Sequence, residues 1–115
     1  MLFTSYSGTS PGSWSGVYVY GSNNSFRHCT FEYGNWALRL QGPASGNTVE
    51  YCTFRNNYAG LYIRDNNAEV KSCRIHNNQS YGVYCYSNPE VKFQGNRIYD
   101  NLFYILFSDY LLPVI

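Results

Sequence analysis

Charge and helix-forming residues are both scarce in this sequence of 115 residues. Only 13% of its residues are charged, and eight Lys and Arg against seven Asp and Glu leave a formal net charge of +1. That balance excludes the broad basic stripe by which proteins hold a nucleic-acid backbone or an anionic membrane surface. There are only four Ala, four Glu, two Lys and one Met, so the residues that favour helices are few. Long hydrophobic runs are missing as well. The most apolar stretch, Leu102 to Phe107 and then Leu111 to Ile115, is broken by Ser108, Asp109 and Pro113, well short of the roughly 20 residues a membrane-spanning helix needs. The four cysteines, Cys29, Cys52, Cys73 and Cys85, form no Cys-x-x-Cys and have no His at zinc-ligand spacing. No metal and no cofactor is expected on that account.

What the sequence does contain is strand and turn chemistry. Hydrophobic residues make up 44% and aromatic residues 19%, which excludes a self-solvating disordered chain. Thirteen Tyr, thirteen Asn, twelve Ser and ten Gly replace the missing helix formers.

These residues repeat. GVYV at 16–19, ALRL at 37–40, GLYI at 60–63, GVYC at 82–85 and YILF at 104–107 begin 21, 23, 22 and 22 residues apart. A second block follows each of the first four: FRHCTF from Phe26, VEYCTF from Val49, VKSCRI from Val70 and FQGNRI from Phe93. Three residues beyond each come Gly34, Asn57, Asn78 and Asn101. In the first block apolar and polar positions alternate, Val17 and Val19 against Tyr18 and Tyr20, Leu38 and Leu40 against Arg39 and Gln41. A period of two is the signature of a strand. Between the blocks lie Gly21–Asn24, Gly42–Asn47, Asp65–Asn67 and Ser87–Pro89, read as tight turns.

A unit of two or three short strands cannot bury its inward residues alone. Copies must stack in parallel register, about 4.8 Å per rung. The expected fold is therefore all-β, a parallel solenoid in one domain, with rungs at 14–35, 36–58, 59–80 and 81–102 and a partial rung or cap at 103–115. Val17, Leu38, Leu61, Val83 and Ile105 should line one wall; Phe31, Phe54, Ile75 and Ile98 should line another. Asn57, Asn78 and Asn101 should form a hydrogen-bonded ladder at a sharp corner, with these Asn themselves taking the left-handed backbone.

The segments VEYCTFRNN-x-x-GLYI and VKSCRIHNN-x-x-YGVYC resemble the right-handed parallel β-helix repeat family, the pectate-lyase-like solenoids, from about Phe3 to Phe107. The opening FTSYSGTSPGSWSGVYV resembles the start of such domains in large secreted or surface-attached proteins. VEYCTFRNN and VKSCRIHNN also satisfy the leucine-rich template LxxLxLxxN. That template would need a helical segment after the Asn, where GLYI and GVYC alternate as strands.

The outward side of the first strand gives two columns, Tyr18, Arg39, Tyr62, Tyr84 and Tyr20, Gln41, Arg64, Tyr86. Flat aromatic faces with polar tips, beside forked Arg donors, suit sugar rings and their acidic groups. The same column can equally be a stabilising cross-rung stack. Outward residues of the second block, Arg27, Glu50, Lys71 and Thr30, Thr53, Arg74, Arg97, are expected to form solvated salt-bridge ladders. His28 and His76 align with Tyr51 and Arg55 and have no ligand partner in the repeat. Cys29, Cys52 and Cys73 share a column, continued by Asn96, and should be a buried, reduced stack, with Cys85 facing the core from the other wall.

The resemblance implies enzymes that abstract a proton beside a uronate carboxylate, or that hydrolyse with two or three carboxylates. Here the three Asp and four Glu scatter over different columns, and Arg64 beside Asp65 is the nearest approach to an active pair. No complete catalytic centre is legible; a lyase or glycosidase would be the class if there were one. The expected function is a non-catalytic solenoid module with polysaccharide as a candidate partner. The alternatives are a fragment of a polysaccharide lyase, hydrolase or epimerase, and a structural spacer of a surface adhesin. No basic n-region, apolar h-region or cleavage site follows Met1, and the apolar tail lacks a polar cover. Hence the expectation of a segment of a larger extracellular or envelope protein, continued by further rungs or docked end to end with another copy, with neither membrane insertion nor nucleic acid.

Overall fold

Every regular element of the computed structural model, which describes residues 1–86 and 91–107, is a β-strand. In chain order these are β1 (Leu2–Phe3), β2 (Val17–Val19), β3 (Ser25–Arg27), β4 (Thr30–Glu32), β5 (Trp36–Glu50), β6 (Thr53–Arg55), β7 (Ala59–Lys71), β8 (Arg74–His76), β9 (Tyr81–Tyr86), β10 (Lys92–Gln94), β11 (Arg97–Tyr99) and β12 (Phe103–Phe107). The segments after the ladder asparagines are strands, so the leucine-rich template fails at the point where it required a helix. The Ser87–Pro89 turn and the Leu111–Ile115 tail lie outside the described residues.

Among the described residues all strand pairing is parallel. One sheet runs β1-β4-β6-β8-β11; the other runs β12-β9-β7-β5-β2, with β3 and β10 joining it through β5 and β7. Residues separated by one repeat therefore lie directly opposite one another. Val17 pairs with Leu38, Leu38 with Leu61, Leu61 with Val83 and Val83 with Ile105. On the facing sheet Phe31 pairs with Phe54, Phe54 with Ile75 and Ile75 with Ile98. The core between the sheets is built from Leu38, Leu61 and Val83 and from Phe31, Phe54 and Ile75 of these columns, together with Leu40, Ile63, Cys85, Val49 and Val70, all buried, and the partly buried Val17 and Ile98 pack against it. Alternation in each short strand is thus a direct consequence of one face meeting the core and the other meeting solvent.

Two segments read as turns are strand. Gly42–Asn47 lies inside β5 and Asp65–Asn67 inside β7, and the two remain paired across the bend with irregularities between Gln41 and Ala44 and between Ser45 and Asn47. In stacked parallel rungs the hydrogen bonds run from rung to rung, so a corner can bend the chain without breaking the ladder. Positive φ at Gly42, Gly46 and Asp65 makes the bend.

The other corners use single left-handed residues in register. His28, Tyr51, Ser72 and Gly95 have φ of 56, 53, 53 and 66°; Tyr33, Asn56, Asn77 and Asp100 have φ of 64, 57, 55 and 55°. The ladder asparagines come one residue later. The left-handed backbone expected at Asn57, Asn78 and Asn101 is therefore carried by their predecessors, which leaves the ladder side chains free to point inward. Each ladder Oδ1 accepts the backbone N–H of the rung before it: Asn57 from Gly34 at 2.8 Å, Asn78 from Asn57 at 3.1 Å and Asn101 from Asn78 at 3.0 Å. Each amide nitrogen donates to a strand carbonyl, Asn57 to Phe31, Asn78 to Phe54 and Asn101 to Ile75, and the amides of Asn57 and Asn78 donate to the next amide as well. A second ladder, unforeseen in the sequence, joins Asn24 to Asn47 and Asn66 at the bend inside β5 and β7, with side-chain contacts of 3.1 and 3.0 Å.

Cys29, Cys52 and Cys73 are buried and reduced, and so is Cys85. The sulfurs of Cys52 and Cys73 lie 3.4 Å from the Phe26 and Val49 carbonyls. Asn96 continues the column and donates its amide to the equivalent Val70 carbonyl at 2.9 Å. Burial pushes the Cys85 thiol up to about 12, and contact with Cys73, followed by burial, raises that of Cys52. Cys52 and Cys85 therefore stay as thiols, and the reactive thiolate form is disfavoured at both. Above pH 9 an unfolded Cys85 ionises while the folded one stays protonated to about 12. The unfolded state then binds fewer protons, and stability falls with pH by up to about 1.4 kcal/mol per unit from this group. Urea unfolding at pH 8, 9, 10 and 11 should therefore show a flatter decline for Cys85→Val than for the parent. Identical declines would refute the assignment.

Candidate functional site

The register sets Tyr18, Arg39, Tyr62 and Tyr84 opposite one another on successive rungs, and Gln41, Arg64 and Tyr86 in a second column two residues along. Tyr20 lies one residue beyond β2 and is the most exposed ring of the group. All eight sequence-derived residues thus belong to the outward side of the larger sheet, while Val17, Leu38, Leu61 and Val83 beneath them fill the core.

Their side chains engage one another as well as solvent. Tyr62 and Tyr84 stack with ring centres 5.6 Å apart and planes 17° from parallel. The Arg39 guanidinium lies 4.4 Å from the Tyr18 ring centre, and that of Arg64 lies 5.1 Å from Tyr86. Cations held over aromatic faces at this range are attracted by the ring quadrupole. Arg64 also stands 3.9 Å from Asp65; neighbours on a flat strand would point to opposite faces, and the pair converges because Asp65, with positive φ, occupies the bend. Arg39 has no carboxylate partner among the described residues, and its Nε is buried without an acceptor.

Three further rings, Trp36, Tyr81 and Phe103, extend this aromatic surface beyond the two sequence-derived columns. Trp36 stands edge-on to Tyr62 at 5.0 Å and to Tyr84 at 6.0 Å, and stacks on Tyr81 at 6.1 Å. Tyr81 in turn stacks on Phe103 at 5.1 Å. Trp36 is opposite Ala59, and Tyr81 is opposite Phe103. The small Ala59 side chain leaves space over its rung, so Trp36 and Tyr81 lean together across it. Two ring stacks, Tyr62–Tyr84 and Trp36–Tyr81–Phe103, thereby meet edge to face. The sequence did carry a signal: the residue just before each alternating block is Trp36, Tyr81 or Phe103 in three of its copies.

Two of the acidic side chains, Glu32 and Glu69, are engaged in pairs of their own. Glu32 accepts from Arg55 at 3.1 Å and from Thr4 at 2.9 Å, and Glu69 pairs with Lys71 at 2.9 Å. The pairing of Glu69 with Lys71 on one strand replaces the ladder expected between Glu50 and Lys71, and Arg27 lies over Tyr51 instead. The Thr30, Thr53, Arg74, Arg97 column contains no acid, so the expected salt-bridge ladder does not exist there. His28 stacks on Tyr51 and His76 on Tyr99, with ring centres 5.1 and 4.8 Å apart, rungs of ordinary aromatic ladders. Among the described residues no group of His, Cys, Asp or Glu is placed to hold a metal ion, and no helix is long and apolar enough to cross a membrane.

Parallel stacking in register over nearly the whole chain coincides with the model of the right handed beta helix region family, which matches residues 7–109. The chain belongs to that family. The β-helix is thus right-handed by membership and a solenoid by its own strand pairing. Comparison of this β-helix with curated proteins and with solved structures gives no match.

Proposed function

We propose that the protein is a non-catalytic β-helix module of a larger extracellular or envelope protein, and that it binds polysaccharide along the outward face of the larger sheet. One observation carries this reading: Trp36, Tyr62, Tyr81, Tyr84 and Phe103 form a continuous aromatic surface on that face, bordered by an Arg39 whose buried Nε has no acceptor among the described residues. A buried donor left unpaired costs about 1 to 3 kcal/mol, and a turn of the Arg39 side chain outward to a ligand hydroxyl or carboxylate would recover that cost. The exposed rings of Tyr20 and Tyr86 supply faces for pyranose rings, and Arg64 beside Tyr86 supplies a forked donor.

A second reading is favoured by the Tyr62–Tyr84 stack itself. Rings that occupy each other's faces stabilise neighbouring rungs by about 0.2 to 1 kcal/mol per pair, which is all that a structural spacer needs. The two readings separate by position. In titrations against a panel of neutral and uronate-containing polysaccharides, Tyr20→Ala with Tyr86→Ala should weaken binding about tenfold and leave the melting temperature within a few degrees. Tyr62→Ala with Tyr84→Ala should lower the melting temperature. If no polysaccharide binds the parent protein, the spacer reading replaces the binding one.

A further inference from the structure

The smaller sheet has an outward face of its own, and its chemistry changes along the stack. Thr30 pairs with Thr53, Thr53 with Arg74 and Arg74 with Arg97; beside them Glu32 pairs with Arg55, Arg55 with His76 and His76 with Tyr99. At the end nearer the N-terminus the cation is neutralised, since Arg55 is held by Glu32. One and two rungs on, Arg74 and Arg97 stand directly opposite each other, both exposed, and neither has an ion pair among the described residues. Like charges directly opposite on neighbouring strands destabilise a sheet.

Elsewhere among the described residues that arrangement is avoided. Arg64 stands beside Asp65 and Lys71 beside Glu69, and Lys92 is placed opposite Glu69. The Arg74–Arg97 pair is flanked on its own strands by the stacked His76 and Tyr99 rings, whose planes are 3° from parallel, and the Arg97 guanidinium lies 5.5 Å from the Tyr99 ring centre. Two forked cations one rung apart, backed by an aromatic wall that restricts where they can turn, offer four or more N–H donors to one multivalent anion.

The geometry points to a binding site for a tetrahedral oxyanion, a phosphate or a sulfate, bridged between Arg74 and Arg97. Planar, forked guanidinium groups match the oxygen edges of such an anion in bidentate fashion, and occupation removes the repulsion that the empty pair carries. The site is on the opposite sheet from the aromatic face, so it stands or falls independently of polysaccharide stacking there. The anion reaches it either free in solution or as an ester on a polymer.

The test uses the full chain, with inorganic phosphate, inorganic sulfate, dextran sulfate and uncharged dextran as probes, in calorimetric titrations at two salt concentrations. Arg74→Thr with Arg97→Thr, which extends the existing Thr30 and Thr53 column, is the variant to compare. Without ligand it should melt at the same temperature as the parent or higher, which separates loss of binding from loss of fold. Saturable binding of an inorganic anion that weakens at least tenfold in this variant supports a site for the free ion. Binding of dextran sulfate alone, weakening by the same factor and unaffected by Tyr20→Ala with Tyr86→Ala, supports a site for the ester. Absence of binding by every anionic probe, or binding equal in parent and variant, overturns the assignment.

Discussion

Replacing Asn57 with Ala should lower the unfolding free energy by about 4 kcal/mol, and replacing it with the near-isosteric Asp should cost at least as much at neutral pH. The Asn57 side chain is wholly buried. Its Oδ1 accepts the Gly34 N–H at 2.8 Å, and its amide donates to the Phe31 carbonyl at 3.1 Å and to Asn78 Oδ1 at 3.0 Å. Alanine removes the acceptor for Gly34 and a donor to Phe31. A buried polar group left without its partner costs about 1 to 3 kcal/mol, and two of them, with the void, give the figure above. Aspartate keeps the volume and the Oδ1 acceptor but turns an oxygen toward two other oxygens and buries a charge. Were the ladder merely a filler of space, Asp would be benign and Ala alone would be harmful. Urea unfolding of the three proteins followed by circular dichroism decides it, and a loss below 1 kcal/mol for Asn57→Asp would refute the hydrogen-bond account.

That ladder also shows where sequence reasoning succeeds and where it stops. A repeat of near-constant length makes register readable, because parallel copies can bury their alternating residues only by placing equivalents opposite one another. Hence Val17, Leu38, Leu61 and Val83 fall in one column, Phe31, Phe54 and Ile75 in another, and the Asn57 ladder where it was expected. Local backbone conformation is less legible. Asn56 and Asn57 are chemically identical, and only the turn geometry decides that Asn56 takes the left-handed conformation while Asn57 points inward. Gly42–Asn47 has every mark of a loop, yet it stays paired to β7, since a solenoid corner satisfies its backbone through the next rung. The Trp36–Tyr81 stack escaped notice because it skips a rung, across Ala59. On the outer faces the sequence identifies which side chains are neighbours but not which will pair: Arg55 finds Glu32 one rung away, while Lys71 finds Glu69 on its own strand.

The Phe column gives the second large effect. Phe54→Ala should cost about 4 to 5 kcal/mol, the upper part of the range for losing a buried phenylalanine, whereas Phe54→Ile should cost less than about 1.5 kcal/mol. Phe54 is fully buried, stacked on Phe31 with ring centres 4.7 Å apart and planes 2° from parallel, and Phe31 is stacked on Phe3 at 4.8 Å. The cost is high because relaxation is blocked. Rungs on either side are held at strand spacing by continuous backbone hydrogen bonding, so the neighbours cannot close over the space that a missing ring leaves. Isoleucine already occupies the next two positions of this column, Ile75 and Ile98, opposite Phe54 and its successor. One more such residue is therefore compatible with the same rung geometry. The stack itself should appear as non-additivity. Phe31→Ala and Phe54→Ala each remove the same ring contact, so the double variant should lose less than the sum of the singles by about 0.5 to 1.5 kcal/mol, the range for a stacked aromatic pair. Strict additivity in urea unfolding would mean that the two rings fill space independently and that their near-parallel planes contribute nothing of their own.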